Sequence, residues 1–415
     1  MSRYLIIADD ITGSNDTGVQ LKRRGIETVV TLDAEVVNQQ QASCVLDTES
    51  RPLEADAAFN KVYDAVRKID MSGFSHIVKK VDSTLRGAIA HEIAAIDKCY
   101  NPELIVFMPA LPDLGRTTLN GVHMLHGKPI TQTELAQDPR TPVRQDDLRK
   151  LLESVYTEPV THVGVHDVES GNICLNGGRV FTFDAVTNAH MRAVVAAAVA
   201  TGKKVLWVGA AAIVDSIMET EVPVYPAVAL VASLSETTRD QVCYAQERGV
   251  EVVVIPAEHF LYLLENNGHH SEALMQDSIE NAVCAIGKGR DVIVVSAATF
   301  NRAEFEKILI AGEATGMPRN DVSLMVLKYM GLIMAGIMRQ AKISGVFLTG
   351  GDTAMSLLSE IGALGMRIIS EVLIGIPLMR LVGGKYHNTK VITKAGAFGQ
   401  SDALFFCMRK LRETD

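Results

Sequence analysis

His76-Ile77-Val78-Lys79-Lys80-Val81-Asp82-Ser83-Thr84-Leu85-Arg86-Gly87 sets the reading of the whole chain. It opens on a short β-branched run and turns abruptly polar, and the stretch that follows, Ala88 to Ile96, spaces its apolar residues as a helix does. The segment therefore reads as strand, loop and helix. Lysines, an arginine, hydroxyls and a carboxylate in that loop suit a small polyhydroxylated anion, and open α/β sheets hold such ligands just beyond the carboxyl ends of their strands. The plainer alternative is a solvated βα loop. Strand side chains alternate between faces, so Lys79 and Lys80 cannot both meet one ligand, and Lys80 is preferred.

Upstream, Tyr4-Leu5-Ile6-Ile7-Ala8 lacks alternation, as a parallel strand covered on both faces does. Asp9 to Asp16 reads as a loop of acceptors, followed by a helix over 17–24 that Gly25 closes. Further strands are expected at 28–32, 42–47 and 104–108, an amphipathic helix over 54–69, and polar loops at 48–52 and 109–118. Alternating strands and helices predict a parallel sheet with right-handed crossovers, which places every βα loop on one edge. Asp10, Arg51, Lys80, Asp82, Ser83, Thr84, Arg86 and Arg116 should then converge. Residues 132–178 read as an irregular excursion with a short helix over 146–155. Segments 180–184, 188–200 and 204–208 complete this half. Glu221-Val222-Pro223-Val224-Tyr225-Pro226 is the expected linker, because its prolines interrupt helix and resist central-strand pairing.

A second alternating series follows, with strands at 228–232, 252–255, 291–295, 345–349 and 391–393. Helices are expected up to 247 and over 271–286, 322–340 and 401–409. The methionines Met325, Met330, Met334 and Met338 recur at helical spacing and read as core. Two strands deliver glycine-bearing loops, Gly350-Gly351-Asp352-Thr353 and Lys394-Ala395-Gly396-Ala397-Phe398-Gly399. Such loops let backbone N–H groups at a helix start receive a phosphate. Tight turns use glycine for its backbone freedom in any case. Two of them together with hydroxyl-rich loops at Ser233 and Ser296 favour a nucleotide, with Phe398 as a wall for its base.

A chain of 415 residues exceeds what one core supports, so two domains are expected, 1–222 and 227–415. The fold class is α/β: each domain is built on a mostly parallel sheet flanked by helices, with a ligand cleft between them. The six cysteines form no CxxC pair, which argues against a zinc ribbon or a disulfide framework. The apolar run at the N-terminus is too short for a signal peptide, and the apolar stretch 324–338 reads as a buried helix, so the expected location is the cytoplasm. A net charge of −9 discourages nucleic-acid and membrane partners. GxxxxGK[ST], GxGxxG after the first strand, HExxH and GxSxG are all absent, which removes the P-loop reading and argues against dinucleotide, zincin and triad-hydrolase readings. His269-His270 reads as a polar turn after Asn266-Asn267-Gly268.

Ala8-Asp9-Asp10-Ile11-Thr12-Gly13, Lys79 to Gly87, Thr349 to Ala354 and Lys394 to Gly399 together resemble the motifs of the four-carbon acid sugar kinase family, over essentially the whole chain. Within it, Asp10 to Gln20 (DITGSNDTGVQ) is most similar to the D-threonate kinases. Ala232 stands where the family usually has glycine, and Ala395 and Ala397 are also atypical. The resemblance implies a sugar-acid domain, a nucleotide domain, and ATP- and Mg2+-dependent phosphorylation of the terminal hydroxyl of a C4 acid. Arg51 with Arg86 or Lys80 would take the carboxylate, Arg for its bidentate fork. Asp10, Asp82, Ser83 and Thr84 would hold hydroxyls. Ser233, Gly350, Gly351, Asp352, Thr353, Lys394 and Gly396 would contact the nucleotide. Asp352 would serve as base or metal-orienting group, with Asp10 and Asp82 as alternative bases. D-erythronate or a 3-oxo-tetronate are alternative substrates, a non-catalytic sugar-acid binder is the rival reading, and a homodimer is compatible with all of these.

Overall fold

Tyr4–Ala8 (β1) is buried along its entire length, as an unalternating apolar strand must be when both faces are covered. In the computed structural model, described for residues 2–221, 224–266 and 268–414, alternate residues of β1 feed two cores: Tyr4, Ile6 and Ala8 one, Leu5 and Ile7 the other. The chain divides into two compact units between positions 223 and 224, and Thr414 returns to the first, where its N–H donates to Arg23 O. Val222 and Pro223 of the expected linker, and Asn267, lie outside the described residues.

The first unit continues with Thr28–Thr31 (β2), Ser43–Asp47 (β3), His76–Lys80 (β4), Leu104–Met108 (β5), Arg116–Leu119 (β6), Val122–Leu125 (β7), Lys128–Pro129 (β8), Val160–Val163 (β9), Val180–Phe183 (β10) and Val205–Gly209 (β11). Seven of these join β1 in one parallel sheet in the order β2-β3-β1-β4-β11-β5-β10-β9. The connection from β1 leads toward β2 and β3, whereas that from β4 leads the other way toward β5. The carboxyl ends of β1 and β4 therefore flank a topological switch point, where open sheets form ligand crevices.

Two features depart from expectation. The helix after β1 spans Ile11–Arg23, not 17–24, because Asp10 caps it by accepting the Gly13 N–H at 2.9 Å. The Ser14 hydroxyl, read as part of a loop, folds back on the helix and donates to Asp10 O, as Thr17 does to Gly13 O. Ahead of the expected excursion, beginning in what was read as a polar loop over 109–118, β6, β7 and β8 form a small antiparallel sheet, and within the excursion β9 joins the main one. Strands of two to four residues carry too little pattern to be seen.

The second unit comprises Ala227–Val231 (β12), Glu251–Ile255 (β13), Val292–Ser296 (β14), Gly345–Thr349 (β15), Gly365–Leu373 (β16), Ile376–Val382 (β17) and Lys390–Lys394 (β18), ordered β13-β14-β12-β15-β18-β17-β16. Its switch point lies between β12 and β15. The antiparallel hairpin β16–β17 was not anticipated: β16 is largely exposed, and irregularities in its pairing around Ile369 and Val372 break the alternation. Helix Arg319–Gln340 is long and apolar enough to cross a membrane by composition alone, but Met330, Met334 and Met338 pack in this unit's core.

Lys79 and Lys80 do point to opposite faces. Lys79 pairs with Glu92 of helix Ile89–Tyr100 at 2.7 Å, both side chains 1% exposed or less. Removing one partner strands a buried charge, so Lys79→Met is expected to cost about 3–5 kcal/mol of stability, while Lys79→Met/Glu92→Leu should return to near wild type. Urea unfolding of the three proteins checks this, and equal losses in the single and double variants would contradict it.

Candidate functional site

In the first unit, a cavity of about 560 Å3 opens at the switch point, lined by Asp10, Thr12, Gly13, Asp16, Arg51, Lys80, Asp82, Ser83, Arg86, Leu111, Ala210 and Ala211. Six of the seven residues expected on the substrate side therefore share one cavity. Thr84, the seventh, lies behind it and donates to Asp82 Oδ2. Arg116 does not join them; its guanidinium donates to Leu114 O.

The cavity is a network of ion pairs. Arg51, from the loop after β3, meets Asp9 through Nε and Nη2 at 2.7 and 3.0 Å, and Asp10 through Nη1 and Nη2 at 2.6 and 2.7 Å. Arg86 meets Asp82 through Nε and Nη2 at 2.7 and 3.1 Å. The chain's own aspartates fill both of the forks that were expected to receive a ligand carboxylate. Lys80 is different. Its ammonium donates to Val81 O at 2.9 Å, the one hydrogen bond it makes among the described residues, and an ammonium has three donors. Burial pushes its pKa down, and the charges of Asp9 and Asp82 oppose that. A Cβ at Gly13 would lie 2.7 Å from Asp10 Oδ1 and 3.0 Å from Lys80 Nζ, so only glycine leaves room there for the helix start beside the lysine.

Asp9, Asp16 and Gly13 were not singled out as site residues. The adjacent aspartates and the Asp-x-x-Gly cap were the available signals.

In the second unit, Gly350 follows β15 with φ +89°, a conformation that glycine alone adopts readily, and its N–H donates to Lys394 O at 2.8 Å. Helix Gly351–Glu360 starts immediately, with Asp352 exposed and Thr353 buried in its first turn. A Cβ on Gly396 would come within 2.7 Å of Ser233 Oγ, so the loops after β12 and β18 touch. Lys394 does not add charge to the loop surface. Its ammonium is buried and donates to Ala395 O, Gly396 O and Phe398 O, each at 3.0 Å. From helix Glu236–Gln246, Thr238 donates to Gly396 O, and Gln241 donates to Phe398 O, Gly399 O and Gln400 O. Neither residue was anticipated. With its carbonyls drawn inward, this loop has main-chain N–H groups available for an anion.

The family model for a sugar-binding N-terminal domain matches residues 4–217, and that for a nucleotide-binding C-terminal domain matches 228–404. A D-threonate kinase of Salmonella typhimurium is 34% identical, the match covering 97% of this chain and 98% of that protein. The chain belongs to the four-carbon acid sugar kinase family. Another member, a D-erythronate kinase of Heliobacterium modesticaldum, is 25% identical over 98% of this chain and 97% of its own. A Bordetella bronchiseptica protein described as a domain of unknown function, crystallised with bound citrate as a domain-swapped dimer, superposes with a TM-score of 0.60 and 27% identity over 99% of this chain and 98% of that one. This sugar-acid kinase is thus a phosphotransferase with an alcohol acceptor, using ATP.

Asp82 gives the kinase an acid-sensitive point. Burial would raise its pKa, but hydrogen bonds from Arg86 and Thr84 and the charge of Arg51 hold it well below the usual carboxylate range. With the folded value below the unfolded one near ~3.9, Asp82 contributes stability above about pH 4 that is lost as pH falls toward the folded value. Arg86→Met is expected to raise that folded value and move the acid-unfolding midpoint of the first unit upward. Circular dichroism titration reads it, and coincident curves would remove Arg86 from this role.

Proposed function

We propose that the protein transfers the γ-phosphoryl group of ATP to the 4-hydroxyl of D-threonate, with D-erythronate and 3-oxo-tetronate as the next candidates. The observation that carries this reading is the first unit's cavity, where a buried lysine with unspent donors sits among aspartates that can only accept. The substrate carboxylate takes Lys80 and the first-turn N–H groups of helix Ile11–Arg23, which favour negative charge. Asp10, Asp82 and Ser83 receive the chiral hydroxyls, whose O–H groups are donors. On the nucleotide side, the helix start at Gly351 and the loop held by Lys394 take the phosphates, and Ser233 lies beside them.

Among the described residues no cluster of three or more His, Cys, Asp or Glu could hold a metal. That fits magnesium in a kinase, which is held by substrate phosphates and one or two carboxylates, here Asp352. When bound, the ion would neutralise phosphate charge. Phosphoryl transfer demands alignment more than proton abstraction. Asp82, kept a weak base by Arg86, is the poorest of the three base candidates, and Asp352 is retained as metal-orienting group or base.

A coupled ADP-release assay over D-threonate, D-erythronate, L-threonate and 3-oxo-tetronate tests the reading. D-threonate should give the highest kcat/KM, and Asp352→Asn should lower kcat by about 10²-fold or more. Tight binding without ADP release from any of the acids would instead mark a non-catalytic binder.

A cytoplasmic location is part of the proposal, since ATP is the co-substrate and all six cysteines are free thiols. A homodimer is proposed as well. β16 closes the second sheet with a strand neighbour on one side only, and at this edge Leu364, Ile368 and Ile374 are 84%, 72% and 91% exposed. Light scattering should return twice the chain mass, falling to one chain mass in Ile368→Lys. A wild-type monomer at micromolar concentration would end the dimer proposal.

A further inference from the structure

The small sheet β6–β8 reaches the substrate cavity through the backbone pairing of Arg116 with Leu111, which lines it, and through a buried imidazole. His123 of β7 is fully buried, with Nε2 2.9 Å from Ser83 O and Nδ1 2.9 Å from Thr118 Oγ1. A carbonyl oxygen only accepts, so Nε2 carries the hydrogen, and Nδ1 accepts from the Thr118 hydroxyl. Burial lowers the imidazole's pKa to about 4 against the pull of Ser83 O and Asp82, which keeps the ring neutral near pH 7 and the donor direction fixed.

The loop it holds is not one that a chain adopts freely. Leu85 has φ +61° and Gly87 φ +96°, so two of its residues lie in left-handed backbone, and leucine enters that region rarely. Within the loop the Leu85 N–H donates to Asp82 O at 3.0 Å and the Arg86 N–H to Asp82 Oδ2 at 3.4 Å; His123 adds a contact from outside it, on a sheet that is itself firmly tied. Asp184, fully buried, accepts the N–H groups of Asn120 and Gly121 at the β6–β7 turn, both at 2.9 Å. Thr118 and Ala185 exchange backbone hydrogen bonds at 3.0 Å. The end of β10 thus fixes the turn, and the turn fixes His123.

We propose that His123 is the positioning residue of the substrate cavity: by donating from Nε2 to Ser83 O it holds the left-handed turn that presents Asp82, Ser83 and Arg86 to the ligand. Its consequence for sugar-acid binding rests on the function proposed above, whereas its consequence for the loop does not.

Hydrogen exchange of the ligand-free protein reads the loop directly. In His123→Leu, which keeps an apolar side chain but removes the donor, amides of residues 83–87 should exchange about tenfold faster, the equivalent of one net hydrogen bond. Amides of residues 395–400, in the other unit, should keep their rates. His123→Gln can donate through Nε2 and accept through Oε1, and it should restore protection. Unchanged exchange of 83–87 in His123→Leu overturns the proposal. So does lost protection across the whole parallel sheet of the first unit, which would mark His123 as a residue of the fold alone, and so does a Gln variant no better protected than the Leu one. Kinetically, His123→Leu should raise the KM for D-threonate about tenfold and leave that for ATP unchanged, and equal rises in both would again overturn it. If no four-carbon acid elicits ADP release from the wild type, the kinase reading fails while the exchange rates still decide the role of His123.

Discussion

Arg51 holds the amino-terminal site together. Asp9 follows β1 almost fully buried, and Asp10 caps the next helix, so two carboxylates stand side by side at a strand end where neither can move away. Their repulsion would be severe in a low-dielectric setting. One planar guanidinium reaches both with four hydrogen bonds, and the Arg51 backbone N–H donates to Asp9 O at 3.1 Å. Lysine, a point charge with rotatable donors, would not reproduce that fork. The position of Arg51 follows from strand order: β3 is the parallel neighbour of β1, so the loop after β3 opens beside the end of β1. Charge compensation and sheet topology are one constraint here.

The two units use a common device. Lys80 ends β4 and Lys394 ends β18, each is buried, and each ammonium donates to the carbonyl of the next residue. A cation at the last strand position turns the departing carbonyl inward and leaves the loop's N–H groups for a ligand. The difference lies in what remains. Lys394 spends three donors on its loop and becomes scaffold, whereas Lys80 makes one such bond and keeps the rest for the cavity. Two lysines in matching positions thus do different chemistry.

Much of this was legible because the central strands are long and apolar: β1, β5 and β15 fall where the pattern puts them, and six substrate-side residues follow onto one edge. What escaped has specific causes. Ser14 looks like a loop residue until its hydroxyl bonds back to the helix. The small sheet has strands too short for periodicity, so His123 was invisible as part of the site. In β16 the exposed residues and irregular pairing blur the alternation that marks a strand. Lys394 was read by residue type as a phosphate contact, and only the distances to three carbonyls show where its charge is directed.

The balance of charge in the first cavity limits what it can hold. Asp10, Asp16 and Asp82 line it, with Asp9 behind Arg51, against Arg51, Lys80 and Arg86: four formal negative charges to three positive. An anion is therefore not drawn in by surplus cations. In the binding mode proposed above it uses the lysine with donors left and the positive end of helix Ile11–Arg23, while its hydroxyls supply hydrogens to carboxylates that already stand in place. A ligand with one carboxylate and several hydroxyls satisfies both demands. A dicarboxylate would bring a second charge with no cation to meet it, and a neutral polyol would leave Lys80 unanswered in a buried site. A sugar monoacid, the substrate class proposed above, matches this cavity by the ratio of its donors to its charge, before any question of stereochemistry arises.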